Sequence, residues 1–254
     1  MVSEFIQGIK VKQNTSANCY IKHDLKPLEA PITIRIKFSK TGSLQYISHL
    51  DLQRLWQRAL VRAGIPLWYT KGFNPHAKLV FALPLPVGVE SVCELIDVRI
   101  DKEIDSSDVK ELLNEVLTDE MRILDVYLPE RKFADIAKAE YLIELSSVNA
   151  SEELVKKINE FFTKDEILMT KHTKSGEKEI NISKLIYKFY AKYTPEDNKI
   201  IMNATLSAGT ESLSPEFLIS ALRKYEVLPE ASLTEEFYST LRQRVLNAEG
   251  EEYR

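Results

Sequence analysis

Cysteine and histidine are scarce in this chain, which has only two cysteines and four histidines among 254 residues. Cys19 and Cys93 stand far apart in no paired motif, which argues against a disulfide framework or a cysteine-rich metal site. The same scarcity excludes an iron–sulfur cluster held by this chain alone. The histidines lack the i, i+4 spacing of a helical zinc site, so we expect no metal and no cofactor.

Long apolar runs are also lacking. No segment approaches the roughly 18 residues that are needed to span a bilayer, and the first ten residues show no signal-peptide core. A nucleotide-binding glycine loop and a nucleophile elbow are absent as well. We therefore expect a cytoplasmic protein with no membrane partner.

The composition is that of a folded protein. Hydrophobic residues make up 44% and charged residues 28% of the chain, so a sizeable core can form. The length suits two domains of about 100 residues each. We expect a loosely ordered N-terminal extension at residues 1–31, a first domain at 32–130 and a second domain at 139–254.

The first domain shows the element order β-α-β-β-α-β. Strict alternation predicts a strand from Ile32 to Phe38, and an apolar stripe predicts a helix from its cap Ser48 to about Ala63. The other predicted elements are strands at 67–69, 94–100 and 121–128 and a helix at 107–117. This order is typical of the ferredoxin-like fold, in which both helices cover one face of an antiparallel sheet.

The same order is predicted to repeat in the second domain, with an extra hairpin. Strands are expected at 141–145, 187–193 and 199–206, a hairpin at 167–182, and helices at 152–162, 214–225 and about 234–246. We thus expect an α+β protein of two ferredoxin-like (βαββαβ) units with antiparallel sheets. The first has a long insert in its β2–β3 hairpin, and the second ends in a C-terminal helix.

Charge is unevenly distributed along the chain. The block from Arg35 to Lys78 holds eight cations against the single anion Asp51, whereas the whole chain carries a net charge of −4. Such polarity indicates an anionic partner for this block, although solvated surfaces give the same pattern.

The insert after the second predicted strand is about twenty residues long, where a hairpin needs only about two to five. Long loops in compact domains are usually functional. Its first part supplies two cations, an amide, an imidazole and an aromatic ring, at Lys71, Asn74, His76, Lys78 and Phe73. The alternative is a structural loop that caps the core.

Arginines recur every four residues on the exposed side of the first predicted helix, at Arg54, Arg58 and Arg62. Because guanidinium groups match phosphate bidentately, this stripe is a candidate phosphate contact, although a solvated helix face is the simpler explanation. Tyr46 and Tyr69 are candidate platforms on which the bases of single-stranded RNA stack.

Two histidines allow a catalytic hypothesis. His49 opens the first helix and His76 lies in the loop, so the pair could serve as general base and acid in RNA strand scission without a metal. A capping or loop histidine is the simpler explanation of each. Nothing in the sequence brings the two imidazoles together, and we favour a binding role over an enzymatic one.

Five motifs follow one another in close order: Phe38-Ser-Lys40, Tyr46-Ile-Ser-His-Leu-Asp51, Arg58-Ala-Leu60, Gly72-Phe-Asn-Pro-His76 and Leu83-Pro-Leu-Pro-Val-Gly-Val-Glu-Ser91. Together they resemble the radical-SAM-linked family, a bacterial domain of unknown function, over about residues 32–220. Proteins of that family are fused to, or encoded beside, radical SAM proteins, often near genes for ribosomal proteins and RNase G. The resemblance implies a partnership with a radical SAM protein that acts on RNA.

We therefore expect an accessory protein of a radical SAM system that binds RNA or presents substrate through its basic loop. One alternative is a protein-interaction module that docks on the radical SAM partner through the same loop. Another is a metal-independent ribonuclease that uses His49 and His76.

Overall fold

The computed structural model describes residues 25–173, 176–229 and 236–254. Most of the expected N-terminal extension, residues 1–24, lies outside these described residues. For residues 27–31 the prediction of a loose segment is wrong, because they already belong to strand β1, Pro27–Lys40. Proline is tolerated at the first residue of a strand and at bulges, and a bulge lies between Pro27 and Ile32.

The first half of the chain contains the predicted types of element. Helix α1 occupies His49–Arg62, and the Ser48 hydroxyl caps it by accepting a hydrogen bond from the Asp51 amide at 3.2 Å. The buried side chains of α1 recur at helical spacing, at Leu52, Trp56, Ala59 and Leu60. The other elements are a 3-10 turn at Gly42–Tyr46, β2 at Leu79–Phe81, β3 at Val89–Lys102, α2 at Ser106–Val116 and β4 at Ile123–Tyr127.

The second strand lies further along the chain than the sequence predicts. Residues 67–69 make only isolated bridges, Leu67 with Ile100 and Tyr69 with Ala77. β2 instead forms inside the predicted insert and divides it into a loop at 70–78 and a loop at 82–88. Two short apolar segments compete here, and three residues carry too little alternation to decide which of them pairs.

Among the described residues, the second half contributes four strands to the main sheet and two more to a separate hairpin. Its elements are a 3-10 turn at Phe133–Asp135, β5 at Lys138–Ser147, α3 at Glu152–Phe161, β6 at Leu168–Thr173, β7 at Gly176–Asn181, a 3-10 turn at Ile182–Leu185, β8 at Ile186–Thr194, β9 at Lys199–Ser207, α4 at Glu216–Lys224 and β10 at Glu236–Leu246. Of these strands, β6 and β7 form a separate two-stranded sheet.

One eight-stranded sheet runs through both halves in the order β4-β1-β3-β10-β5-β9-β8, with β2 paired to β3 beside this path. Its neighbouring strands are antiparallel except β10 and β3, which pair in parallel between residues 240–242 and 89–91. The prediction of a mixed α+β fold with mostly antiparallel strands is therefore confirmed. The parallel pairing joins the two halves into one sheet.

The last element is a strand, so the predicted helix at about 234–246 is wrong for the residues that the structure describes. Apolar residues recur every four positions there, at Phe237, Leu241 and Val245, and this spacing imitates a helical stripe. The side chains that β10 buries at alternate positions include the polar Glu236, Thr240 and Arg242. Their polarity hides the strand period, because alternation is recognised when the buried residues are apolar.

The two halves bury their cores on opposite faces of the shared sheet. The core with α1 and α2 takes even-numbered residues of β3: Ile96, Val98 and Ile100. The core with α3 and α4 takes odd-numbered ones: Val89, Cys93 and Leu95. Because successive side chains of a strand point to opposite faces, each half leaves open the face that the helices of the other half cover.

Residues 247–254, here called the tail, cover part of the open face of the first half. Tyr253 is 3% exposed, and its hydroxyl accepts a hydrogen bond from Arg35 Nη1 at 3.1 Å. Lys37 Nζ pairs with Glu252 Oε1 at 2.6 Å. Arg35 and Lys37 of the basic block therefore already have partners in the tail.

Candidate functional site

The loop at residues 70–78, here called the hairpin loop, is closed at its base by a bridge and two hydrogen bonds. Tyr69 and Ala77 form an antiparallel bridge, the Thr70 amide donates to the His76 carbonyl at 3.0 Å, and the His76 amide donates to Thr70 Oγ1 at 3.2 Å. The Trp68 amide donates to the Arg99 carbonyl at 2.9 Å, which ties the base of the loop to β3. The loop therefore projects from a fixed base at the edge of the sheet.

The tip of this loop carries a fully exposed aromatic ring. Phe73 has 110% relative exposure, and every residue from 71 to 76 is exposed. Lys71 and Lys78 flank the ring in sequence, and neither forms an ion pair within the described residues. Gly72 has a φ of +146°, a backbone conformation that favours glycine just before the ring. An exposed ring between two unpaired cations can stack on a planar group while the cations contact an anion.

A cavity of about 340 Å³ lies on the open face of the first half, and its lining comes from three strands and the end of the loop: Thr33, Lys78, Val80, Asp97 and Arg99. Both carboxylate oxygens of Asp97 accept from the Arg35 guanidinium, at 2.7 and 2.9 Å, so this charge is neutralised. The Arg99 guanidinium lies over the Trp68 ring at 4.8 Å. The remaining charge of the cavity is positive and comes from Lys78 and Arg99.

The predicted arginine stripe lies on the other side of the sheet from this cavity. α1 packs on even-numbered residues of β3, whereas Asp97 and Arg99 have odd numbers and face the opposite way. Arg54 Nη1 pairs with Asp51 Oδ1 at 3.1 Å, while Arg58 and Arg62 are exposed without an ion pair in the described chain. The basic block therefore supplies two separate surfaces.

The two histidines of the catalytic hypothesis have different neighbours. The His49 ring packs edge-on against Phe81 with centroids 5.1 Å apart, and its Nε2 lies 3.2 Å from Gln53 Nε2. His76 Nδ1 lies 3.2 Å from Thr70 Oγ1, inside the loop. No hydrogen bond joins the two imidazoles in the part of the chain that the structure describes.

A second exposed patch forms where two of the sequence motifs meet. The Gly88 amide donates to the Gln45 carbonyl at 2.9 Å, and the Gly42 amide donates to Glu90 Oε1 at 2.6 Å. These bonds bring the segments 42–51 and 86–90 together. These two segments carry three exposed large apolar side chains, Tyr46, Leu50 and Val87, which are here called the apolar loop patch. Tyr46 thus belongs to this patch, whereas Tyr69 lies at the base of the hairpin loop.

A cluster of buried charges that the sequence does not predict lies where β3 and β10 meet. The Arg242 guanidinium donates to Glu94 and to the Leu83 carbonyl, the latter at 2.8 Å. Burial lowers the pKa of Lys40, an effect that the nearby Glu94 only partly offsets. For Arg242, burial acts most strongly and lowers the pKa, but Glu94, Tyr141 and Cys93 together outweigh it, so the pKa is raised. The cluster contains both signs of charge and binds the two halves to each other.

No local pattern in the sequence joins the members of this cluster. Lys40 belongs to one of the five motifs, but Arg242 comes from the segment in which a helix is predicted. Burial raises the pKa of the Cys93 thiol to about 11, so the thiol beside this cluster stays protonated at neutral pH.

The described residues contain neither a cluster of metal ligands nor a helix that could cross a membrane. No group of three or more His, Cys, Asp or Glu side chains that could hold a metal ion occurs there. None of the helices in the same residues is long and apolar enough to cross a membrane.

Comparison with known proteins places the chain in a family. A search of curated proteins gives no match. Among solved structures, a Cbf5-Nop10-Gar1 complex is similar at 13% identity with a TM-score of 0.45, and the match covers 84% of this chain and 48% of that one. The chain thus spans about half the length of that protein. A heme-bound variant of DypB from Rhodococcus jostii RHA1 matches at 12% identity with a TM-score of 0.19, covering 80% of this chain and 86% of that one.

A family model gives the more informative match. The family is described as "Uncharacterized protein conserved in bacteria (DUF2344)", and it matches residues 33–215. These residues include most of β1, all of β2 to β9 and α1 to α3, the hairpin loop, the cavity and the apolar loop patch. Because this match covers well over half of the residues, the chain belongs to this bacterial family.

Proposed function

We propose that the protein is an RNA-binding accessory module whose contact with a single strand is made by the hairpin loop and the cavity at its base. The observation that carries the proposal is the fully exposed Phe73 between the unpaired Lys71 and Lys78. A base that stacks on an aromatic side chain contributes about 1–3 kcal/mol, and cations beside the ring attract the phosphates. Arg99 extends the positive charge into the cavity.

A single strand fits this surface better than a duplex does. The ring at the tip can stack only on a base that is free of its own neighbours, and such bases occur in loops, bulges and unpaired strands of RNA. The cavity of about 340 Å³ lies beside the end of the same loop and would take the next part of the strand.

Binding assays with a fluorescent single-stranded RNA test this function. Phe73→Ala is expected to weaken binding about 5- to 150-fold, which corresponds to the loss of one stacked base. The matched control is Phe237→Ala, which removes a ring that is also well exposed but lies on β10. Equal binding by wild type, Phe73→Ala and Phe237→Ala, or no RNA binding at all, contradicts the proposal.

The salt dependence of binding tests the lysines separately. Neutralising one phosphate of a single strand contributes about −0.7 to the slope of log affinity against log salt. The double variant Lys71→Ala/Lys78→Ala should therefore reduce that slope by about 1.4. Lys184→Ala is the control, because Lys184 is exposed in the second half and remote in sequence from the loop. An unchanged slope in the double variant counts against phosphate contact by the loop.

The strand order supports a further proposal on architecture, namely two ferredoxin-like units fused side by side. In the first half the order is β4-β1-β3-β2, and in the second it is β10-β5-β9-β8 with the same connectivity. Both halves then follow the β-α-β-β-α-β pattern with antiparallel neighbours. The hairpin of β6 and β7 is an addition between α3 and β8.

A second candidate function is docking on a partner protein through the apolar loop patch. Tyr46, Leu50 and Val87 are each more than 60% exposed, and an apolar cluster of this kind marks many protein interfaces. The resemblance of the surrounding motifs supports a radical SAM protein as the partner. In a pull-down, nuclease treatment should leave recovery of that partner intact, whereas Leu50→Ser/Val87→Ser should abolish it.

The ribonuclease hypothesis has less support. It needs His49 and His76 on either side of one reacting phosphate, but the contacts of each imidazole lie within its own segment or with β2. The ribonuclease hypothesis would be supported if the wild type cleaved RNA and both His49→Ala and His76→Ala lost that activity.

A further inference from the structure

The edge strand β8 presents an alternating row of cations and rings to solvent. Phe189, Ala191 and Tyr193 pack into the core of the second half. The exposed side chains on this strand are Tyr187, Lys188, Tyr190 and Lys192, here called the β8 stripe. Tyr187 is 52% and Tyr190 is 59% exposed, so each residue keeps more than half of its accessible surface in water.

A bulge explains how both tyrosines reach the stripe. The register of β8 on β9 shifts between Ile186 and Lys188, which adds a residue to β8 beside Tyr187. The Nζ of Lys138, on β5, lies 4.8 Å from the centre of the Tyr187 ring. The stripe therefore has a third cation at one end.

Protection of a sheet edge does not account for the whole stripe. Edge strands often carry lysines that block pairing with another chain, which explains Lys188 and Lys192. It does not explain two large rings left in water between and beside them. Two carboxylates that β5 places on the same face have other partners, since Glu140 pairs with Arg244 at 2.6 Å and Glu144 with Lys199 at 3.0 Å.

The charge left on the stripe is positive. Neither Lys188 nor Lys192 forms an ion pair among residues 25–173, 176–229 and 236–254. Successive outward residues on a strand are about 6.8 Å apart, so the two lysines are separated by about 14 Å with Tyr190 between them. A ring between two cations at this spacing suits a base and its flanking phosphates.

We propose that the β8 stripe is a second binding site for single-stranded RNA, with Tyr190 stacking on a base and the lysines contacting phosphates. This proposal rests on the proposed function, because it extends the strand bound at the hairpin loop. The stripe and the cavity lie on opposite faces of the sheet, and within the sheet four strand spacings of about 4.8 Å, or about 19 Å, separate β3 from β8. Only a strand long enough to reach both sites gains from the second one.

The arginines of α1 lie on the route between the two sites. The outward residues of β8 pair across β9 with even-numbered residues of β5, which lie on the face away from α3 and α4. α1 covers that same face in the first half, with Arg58 and Arg62 exposed. A strand that leaves the loop and passes α1 therefore arrives on the side of the sheet that carries the stripe.

Oligonucleotides of two lengths test the second site. Strands of about 5 and about 20 nucleotides lie near the lower end of, and beyond, the ~4–16 nucleotides that a single-strand-binding domain covers. The wild type should bind the long strand at least about tenfold more tightly than the short one, because linked sites raise affinity. Tyr190→Ala should remove that advantage, Tyr190→Phe should keep it, and Lys188→Ala/Lys192→Ala should reduce it.

The outcomes separate the two proposals. If Phe73→Ala weakens both strands but Tyr190→Ala leaves the long-strand advantage intact, the second site is refuted and the proposed function stands. If neither strand binds the wild type, the proposed function itself fails. If Tyr190→Ala instead abolishes capture of a protein in nuclease-treated extract without affecting RNA, the stripe is a protein interface and the proposal is overturned.

Discussion

Individual buried charges hold the junction between the two halves. Lys40, Glu94 and Arg242 are each at most 5% exposed, and they come from β1, β3 and β10. Arg242 Nε and Nη1 have no protein partner within the described residues, so Glu94 is the main compensation for this guanidinium. A buried charge is tolerated when an opposite charge with good geometry is present.

Glu94→Gln removes that compensation. We expect the substitution to lower the free energy of unfolding by about 3–5 kcal/mol, because it leaves the Arg242 charge buried without an anion. Urea denaturation followed by far-UV circular dichroism measures the change. Glu140→Gln is the control: it breaks a pair with the half-exposed Arg244 and should cost less than about 1 kcal/mol. Equal losses in the two variants contradict this account of the junction.

The Cys93 thiol should make stability depend on pH. Burial raises its pKa to about 11, so the folded state retains a proton that the unfolded state loses nearer pH 9. The stabilising contribution is therefore fully present below about pH 9 and is lost as the pH rises to about 11. At about 1.36 kcal/mol per pKa unit the loss is on the order of 3 kcal/mol.

Comparison with Cys93→Ala isolates the contribution of this thiol. Between pH 9 and pH 11 the unfolding free energy of the wild type should fall more steeply than that of the variant, measured in urea under reducing conditions. Parallel curves for the two proteins are incompatible with a buried, protonated thiol. Cys19 is present in both proteins and cancels in the comparison.

Among the elements, β10 and the tail connect the two halves. β10 pairs with β5 along most of its length and with β3 at residues 240–242, and the tail then packs on the first half. Tyr253 contributes most there, since its ring lies near Phe133 and under the Arg35 guanidinium, 5.3 Å from its centre.

Two substitutions of Tyr253 separate its ring from its hydroxyl. Tyr253→Ala should lower the free energy of unfolding by about 3–5 kcal/mol, the cost of removing a large buried ring. Tyr253→Phe should cost only about 1 kcal/mol, because it removes the hydrogen bond from Arg35 alone. Thermal or urea unfolding measures both, with the exposed Glu249→Ala as the control. A loss in Tyr253→Phe as large as that in Tyr253→Ala would assign the stabilisation to the hydroxyl.

Sequence predicts the elements with apolar alternation or apolar stripes and fails where buried residues are polar. The pattern of apolar residues such as Ile34, Ile36 and Trp56 predicts β1 and α1. β10 does not, because Thr240 and Arg242 are buried by partners from β3 that no local pattern identifies. Arg35 and Tyr253, which touch in the fold, are 218 positions apart in the chain.

The same limit applies to the candidate site. The hairpin loop is recognisable because Gly72, Asn74 and Pro75 are local signals of a turn. The cavity beside it cannot be recognised in the sequence, because Thr33, Val80 and Arg99 become neighbours only when β1, β2 and β3 pair. Alternation shows which side chains share a face of one strand, but it does not show which strands are adjacent.

At the scale of the whole molecule, one sheet with its cores on opposite faces should unfold as one unit. The parallel pair β3–β10, the buried charge cluster and the tail all cross between the halves. β3 itself contributes side chains to both cores, so neither core can be disrupted without exposing part of the other.

Two optical probes test this cooperativity. Both tryptophans, Trp56 and Trp68, lie in the first half, so tryptophan fluorescence reports on that half, whereas far-UV circular dichroism reports on the whole chain. Coincident transitions indicate two-state unfolding, and we expect the two midpoints in urea to coincide in the wild type. Glu94→Gln should move both midpoints together, because the junction is common to both halves. A fluorescence transition that separates from the circular dichroism transition in the wild type would show instead that the halves unfold independently despite their shared sheet.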